Sequence, residues 1–396
     1  MLLNKERLDA TMSKHDLAAI VATAPENVLY TSGFWCLPQW IRRGPQAFTL
    51  LTAHQDDLTP VVVTGTSTLD LLADQAVAGK ARRYGSFTVD THPSTRLDAV
   101  SARQAELQNL PDDGNPIDAL VRELRATGLA GGRIGIDEVG LMPGDLERLR
   151  DELPGVTWVM ATSTLRTVRA VKTEEEIERL EIVARITEQS VQAALSAARE
   201  GATENDLARA FHTQTVQEDG FPVLGCIGFG ERSALMNVQP SNRPLRHGDI
   251  IRFDVGGHYR NYRADIARIA SFGEPAREIL IKYRALTKGV QKGIERIRPG
   301  VSASEIFHTV VETVRREGIP HYQRNHVGHG IGLDGYDLPL LSAGSSDVLE
   351  AGMVLCIETP YYELGRVGLQ VEDMLVVRPD GAEMLTNNGD NLPVLH

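Results

Sequence analysis

Cysteine is scarce in this chain: Cys36, Cys226 and Cys356 are the full set, far apart and without a CxxC pair. An odd, low count argues against a disulfide framework and for a reducing compartment. Aromatic residues make up only 5%, too few for a surface on which nucleic-acid bases would stack. Basic residues are outnumbered, 41 Lys and Arg against 53 Asp and Glu. The net charge of −12 lacks the basic field that a nucleic-acid binder carries. No apolar run approaches the length of a bilayer span. The N-terminal MLLNKERLDATMSKHD becomes charged at once and has no apolar core of a signal peptide. The expectation is a cytoplasmic protein with neither nucleic acid nor membrane as partner.

What is present is ordinary globular material, 396 residues with 42% hydrophobic content, enough for two domains with sizeable cores. Residues 1–165 alternate short apolar runs with amphipathic ones. AAIVAT (18–23), AFTLL (47–51), PVVVTG (60–65), GRIGID (132–137) and VTWVMA (156–161) read as strands. IDALVRELRATGL (117–129) and LMPGDLERLRDEL (142–153) read as helices, and 91–114 as loop or weak helix. This is an α/β domain. A boundary is expected near 166–172. A long helix follows, with a capping box at Thr173 and Glu176 and acidic residues in its first turn; Gly201 is expected to end it. A second helix starts at Thr203. From about 221 the pattern is strand and hairpin, interrupted by a helix near 303–317. Residues 166–396 are thus expected to form an α+β domain.

Three stretches carry the chemistry. GHGIGLDGYDLP (328–339) strips side chains from around His329, and its glycines are expected to leave room for a bound group. IIRFDVGGHYRNYRADIARIA (250–270), read as a hairpin with Gly256-Gly257 in its turn region and folded about the 259/260 peptide, sets Asp254 opposite Asp265. VLCIETPYYELGRVGLQVEDMLVV (354–377), folded about Gly365, sets Glu358 opposite Glu372. Facing carboxylates in apolar strands repel unless a cation separates them. Asp254, Asp265, His329, Glu358 and Glu372 together suit divalent metal, and two ions rather than one. Oxygen ligands with one imidazole favour Mn, Co, Fe or Zn.

The pattern D-x10-D, GHGIG, ETP and VED resembles the metallopeptidases of pita-bread fold: methionine aminopeptidase, aminopeptidase P, prolidase and their relative creatinase. The likeness covers the whole chain and includes RAVKTEEEIERL and DGAEMLT. It implies a creatinase-type N-terminal domain over 1–165, a pita-bread catalytic domain over 166–396, and a homodimer. It implies that Asp265 and Glu372 bridge two ions, that Asp254 completes one shell and His329 with Glu358 the other, and that Glu358 relays a proton. The activity implied is hydrolysis of a peptide or amide C–N bond, of Xaa-Pro peptidase type. A non-peptide hydrolase or lyase on the same scaffold, or a non-catalytic binding protein, are the alternatives.

Three positions depart from the relatives. They carry histidines where this chain has Tyr336 and Asn237, and prolidase-type enzymes often carry an arginine where this chain has Gln370. Tyr336 and Asn237 still donate hydrogen bonds to a substrate carbonyl, whereas an uncharged Gln370 cannot grip a carboxylate as an arginine does. By the same resemblance the loop FWCLPQWIRRG (34–44) brings Trp35, Trp40, Arg42 or Arg43 to a neighbouring subunit's pocket. His326 reads as a loop residue supporting the site rather than a ligand, Cys356 as a small apolar filler, and His258 as exposed.

Overall fold

A computed structural model describes residues 2–41, 46–53 and 59–396, which form two compact units, Met1–Val168 and Arg169–His396. Arg42 and Arg43 lie outside the described residues.

The first unit is built on a sheet ordered β4-β3-β2-β1-β5-β6. Its strands are β1 (Ala19–Ala22), β2 (Phe48–Thr52), β3 (Val61–Gly65), β4 (Lys80–Tyr84), β5 (Gly132–Ile136) and β6 (Val156–Met160). The apolar runs become its central strands because burial on both faces demands them; Ala19, Val21, Phe48, Leu50, Ile134 and Ile136 join one core. β4, sequence KARRY, has no such run and did not read as a strand. Asp137 is buried and accepts from the backbone of Thr23 and Ala24 and from Asn27 Nδ2, at 3.1, 2.8 and 2.8 Å. It thereby ties the end of β5 to the start of the helix Pro25–Ser32. The 91–114 segment holds a true helix, Ala99–Gln108, because Asp98 caps it by accepting from Val100 and Ser101. Within the 34–44 stretch, Leu37–Trp40 form a short helix rather than loop.

The second unit opens with the helix Glu174–Ser196, whose capping box is present as Thr173 and Glu176. It ends at Ser196, short of Gly201, which adopts a left-handed φ of 80° in the turn beyond. The helix Glu204–Gln217 follows, capped by Thr203 and Asp206. The strands are β7 (Phe221–Phe229), β8 (Ile250–Tyr259), β9 (Tyr262–Arg263), β10 (Ile266–Phe272), β11 (His326–Gly330), β12 (Asp337–Ser342), β13 (Val354–Glu358), β14 (Tyr361–Glu363), β15 (Val367–Leu369), β16 (Glu372–Arg378), β17 (Gly381–Met384) and β18 (Val394–Leu395). The large sheet runs β12-β11-β13-β16-β10-β8-β7, with β17, β18 and β9 attached to β16, β10 and β8.

Between β10 and β11 stand two helices, Arg277–Arg296 and Ala303–Glu317. The first falls where strand patterning was expected. Its apolar positions Ile279, Tyr283, Leu286 and Val290 keep helical spacing, and Gly289 and Gly293 let Val314, Val310 and Ile357 come close. These helices cover one face of the sheet, packing Leu286, Val290, Val310 and Val314 in one core with Leu355, Ile357 and Leu375. Side chains alternate along each strand, so Glu358, next to Ile357, and Glu372, three residues before Leu375, face the other way.

Candidate metal centre

Four of the five adjacent strands β11-β13-β16-β10-β8 each bring one residue to that second face, and the residue just before β10 adds a fifth. Glu358 lies directly opposite Glu372; Ala267 is opposite Glu372 on one side and Asp254 on the other; His329 is opposite Cys356, two residues before Glu358. Asp265 precedes β10 by one residue. The first hairpin therefore differs from its sequence reading: Asp254 pairs with Ala267, not Asp265. The turn is made by Arg260 and Asn261, both at positive φ (46° and 72°), and Gly256-Gly257 lie inside β8. The slip is two residues, and an even slip keeps every side chain on its face. Gly256 is required where it sits because a Cβ there would collide with the carbonyl oxygen of Ala264.

Asp254, Asp265 and Glu372 place ligand atoms within 4.8 Å of one another, and so do His329, Cys356 and Glu372. Among the described residues Asp265 Oδ1 is buried with no hydrogen-bond partner. Burial, then the charges of Asp254 and Glu358, hold the Asp265 carboxyl well above the usual range. Burial, then Asp265, Glu358 and Asp254, do the same to Glu372. Asp254 is pushed up to about 6, chiefly by burial and against the pull of Arg252. Glu358 goes the other way: burial acts to raise it, but His326, His329 and Arg324 outweigh that and lower it. Among the described residues no lysine or arginine forms an ion pair with Asp265, Glu358 or Glu372. A buried carboxylate oxygen without a partner, in a set of converging acids, fits divalent cations.

His329 is buried, and its Nδ1 is 3.0 Å from the carbonyl oxygen of Gly330. The neutral ring thus keeps its proton on Nδ1 and offers the Nε2 lone pair, 4.0 Å from Asp265 Oδ2. Burial depresses its pKa, which keeps it neutral. The surrounding glycines serve a different end from the one expected. A Cβ at Gly328 would strike the carbonyl oxygen of Cys356, one at Gly330 that of Leu338, and one at Gly332 would press on Asp337 Oδ2 at 2.9 Å. They admit neighbouring backbone and a buried carboxylate. Asp337 accepts from Arg169 at 2.8 Å, and Lys172 Nζ stands 3.6 Å away, so the loop beyond His329 is pinned to the segment that precedes the long helix.

Tyr336 is 51% exposed. Its ring stacks on His329, centroids 3.8 Å apart and planes 20° from parallel. Burial, then the charges of Glu358, Asp265, Glu372 and Asp254, keep its phenol protonated far above neutral pH. His326 Nδ1 lies 3.1 Å from Glu358 Oε1, outside hydrogen-bond alignment. Asn237 is exposed and its side chain makes no hydrogen bond among the described residues. His258 is half-buried and stacks on Phe221, centroids 5.1 Å apart. Cys356 is fully buried, its Sγ 3.5 Å from the carbonyl oxygen of Asp265; burial and three carboxylates hold the thiol in its neutral form. Trp40 belongs to the first unit, with its indole Nε1 buried and, among the described residues, without a hydrogen-bond partner.

Arg252 is the residue whose importance the sequence understated. It is two residues before Asp254 on β8, so it shares that face, and it is fully buried. Nε donates to Ser233 O at 2.8 Å; Nη1 donates to Asp254 Oδ2 at 3.1 Å and Gln370 Oε1 at 2.8 Å; Nη2 donates to the carbonyls of Leu235 and Met236 at 2.7 and 2.9 Å. A guanidinium has five N–H groups, so all are spent. Gln370 is equally committed. Its oxygen also accepts from Tyr362 at 3.1 Å, and its amide nitrogen donates to Glu358 and Glu372 at 3.4 and 3.3 Å.

Comparison with known proteins agrees with this architecture. The model of metallopeptidase family M24 matches residues 178–379, and that of the creatinase/prolidase N-terminal domain matches 5–171. An uncharacterized peptidase of Staphylococcus aureus strain MSSA476 is 30% identical over 227 residues, which are 57% of this chain and 64% of that relative's length. Among solved structures, the X-Pro aminopeptidase of Thermotoga maritima superposes with a TM-score of 0.78 at 22% identity, covering 99% of each chain. The prolidase of Thermococcus sibiricus gives 0.80 at 20%, covering 99% of this chain and 98% of its own. Likeness at that identity establishes the fold: a creatinase-type N-terminal domain followed by the curled catalytic sheet. With its catalytic half matched from helix Glu174–Ser196 to the end of β16, this chain belongs to metallopeptidase family M24.

Proposed function

We propose that this protein is a metal-dependent hydrolase that cleaves a peptide or amide C–N bond, of the Xaa-Pro peptidase type. The observation that carries the reading is the convergence of Asp254, Asp265, His329, Glu358 and Glu372 from neighbouring strands, with Asp265 Oδ1 buried and unpartnered. The family implies divalent metal. Charge argues for two ions: of the four carboxylates only Asp254 is ion-paired with an arginine or lysine among the described residues, to Arg252, which leaves three negative charges without a cation in contact. One divalent ion would leave one charge over; two leave a single positive charge to face an anionic nucleophile or oxyanion. Mn, Co, Fe or Zn suits oxygen ligands with one imidazole. Asp265 and Glu372, central in the cluster, would touch both ions, Asp254 one, and His329 with Glu358 the other.

Cations held there supply Lewis acidity, polarising a carbonyl and making water nucleophilic near neutral pH. The chain's own groups do the rest. Glu358 accepts a proton from the attacking water and delivers it to the leaving nitrogen. Gln370 fixes the Glu358 and Glu372 carboxylates. Tyr336, protonated and stacked on His329, donates to the oxygen on which charge develops. Asn237, exposed and turned to no partner, is given no role. The reading takes the enzyme as a cytoplasmic homodimer; the three buried free thiols accord with a reducing compartment.

One observation keeps a second reading open: Gln370 has no hydrogen-bonding capacity left for a peptide carboxylate, so the same centre could serve a small non-peptide amide. A panel of Xaa-Pro dipeptides, longer X-Pro peptides and small amides, assayed with Mn²⁺ or Co²⁺ restored after chelation, decides. Metal-dependent turnover of the peptides is the expected result. Turnover of small amides alone would favour the second reading, and full activity without metal would end both. In the same assay Tyr336→Phe should lower kcat about 10-fold or more, the effect of one lost donor, with bound metal unchanged. An unaltered kcat would remove Tyr336 from the mechanism.

A further inference from the structure

The two groups of ligand atoms in this centre share Glu372 and differ in kind. Asp254, Asp265 and Glu372 offer oxygen alone; His329, Cys356 and Glu372 offer nitrogen, sulfur and oxygen. The chemistry above uses His329 and Glu372 and leaves the thiol idle. A buried cysteine commonly serves as a small filler of an apolar core, and Cys356 is fully buried. Its place in the strand says otherwise. The core beneath the helices takes Leu355 and Ile357 of β13; Cys356, between them, points to the opposite face with Glu358. It lies directly across from His329 on β11 and from Met374 on β16, two residues beyond Glu372.

On that face the sulfur is surrounded by the centre's own residues. Sγ is within 4.8 Å of a ring nitrogen of His329 and of a carboxylate oxygen of Glu372, and 3.5 Å from the carbonyl oxygen of Asp265. The three donors come from three neighbouring strands, β11, β13 and β16. Donors bonded to one tetrahedral zinc stand roughly 3.5 Å from one another, so the three close around an ion by small side-chain movements. Sulfur also changes which ion is preferred. A thiolate selects zinc, with cobalt as its spectroscopic stand-in, over manganese, which favours oxygen.

We infer that Cys356 is a metal ligand of this centre, joining His329 and Glu372 in a nitrogen–sulfur–oxygen site for a thiophilic divalent ion beside the all-oxygen site of Asp254, Asp265 and Glu372. This rests on the metal centre proposed above and gives its two positions different metals, zinc on the sulfur side and a harder ion on the oxygen side. As the sulfur–metal bond forms, the S–H bond breaks and its proton passes to solvent; no oxidant or reductant takes part. The thiolate adds a fourth negative charge to the three counted above, so a centre with two divalent ions is then neutral overall. Mn²⁺ in both positions leaves the thiol protonated and the single positive charge in place.

Spectroscopy of the metal-loaded full chain tests this apart from turnover. Co²⁺ added to metal-free protein should produce a sulfur-to-cobalt charge-transfer band in the near ultraviolet, alongside the visible bands that any bound Co²⁺ gives. Cys356→Ala and Cys356→Ser should lose the first and keep the second. Cys226→Ser should keep both; Cys226 lies opposite Asp254 and is the other thiol of the catalytic unit. The zinc-loaded wild type, which needs no variant, should show a sulfur neighbour at about 2.3 Å by X-ray absorption. In competitive titration Cys356→Ala should bind zinc about 10-fold or more weakly, with Mn²⁺ affinity within about threefold of wild type. Bound Co²⁺ without the charge-transfer band, and bound zinc with only nitrogen and oxygen neighbours, would overturn the assignment and leave the hydrolase reading untouched. So would a band that survives in Cys356→Ala or disappears in Cys226→Ser. A wild type that binds neither ion would overturn the inference together with the metal centre on which it rests. Cys356-dependent ligation without hydrolysis of any amide would uphold the site and refute the hydrolase reading.

Discussion

Asp265→Asn should abolish high-affinity metal binding and, in the metal-free protein, raise the melting temperature. The two effects have one origin. Asp265 lies among Asp254 and Glu372 with ligand atoms no more than 4.8 Å apart, and no lysine or arginine among the described residues pairs with it. Without cations its charge has only like charges and a buried setting to answer, which is why its carboxyl resists ionisation. An asparagine of the same shape replaces a group that must either hold a proton or add to the repulsion, and it supplies an amide N–H to a neighbouring carboxylate, so the metal-free centre relaxes. With cations the balance inverts. Loss of a residue that merely orients a ligand costs about 10–100-fold in affinity, and loss of a ligand proposed to touch both ions costs more. The measurement is elemental analysis of the purified variant together with melting curves with and without Mn²⁺. Mn²⁺ should raise the wild-type midpoint and leave the variant's unmoved. A variant that holds wild-type metal, or that melts lower than wild type when both are metal-free, would dismantle the electrostatic account of this centre.

What the sequence made legible is the part governed by period and symmetry. The hairpin about Gly365 folds as its pattern demands, with Tyr361 opposite Leu369 and Glu358 opposite Glu372, because a glycine at φ 76° sits at its centre. The earlier hairpin was harder: its turn uses Arg260 and Asn261 in left-handed conformations that only asparagine advertises, while the conspicuous Gly256-Gly257 pair serves close backbone approach. The face survived the error because two-residue slips preserve parity. Glycines around His329 were legible as a feature but not in purpose, since which backbone they admit depends on strands far off in sequence. Arg252 could have been found by the same period-two rule that links it to Asp254. The surroundings of Cys356 could not, because His329 and Glu372 reach it from other strands.

Arg252→Met should be among the most destabilising single substitutions in the catalytic unit. The guanidinium is fully buried and joins β8 to the segment Ser233–Met236 and to Gln370, and stacks over the Tyr362 ring at 5.2 Å. Methionine fills much of the volume but leaves three carbonyls, the Gln370 oxygen and the Asp254 carboxylate short of donors. Breaking a buried ion pair by removing one partner costs about 3–5 kcal/mol, which for a unit of this size lowers the melting temperature by roughly 10 °C. Lysine, with three donors on a tetrahedral head, cannot span acceptors that a planar fork reaches, so Arg252→Lys should fall between. Metal separates the two parts of the loss. Cations neutralise Asp254 but do nothing for the carbonyls of Ser233, Leu235 and Met236, so Mn²⁺ should recover part of the deficit and not all of it. The double variant Arg252→Met/Asp254→Asn, compared with each single variant in metal-free protein, measures the same division without metal. If the asparagine restores nothing, Arg252 acts by gripping the 233–236 backbone alone, and the charge count that calls for two ions loses its cationic member.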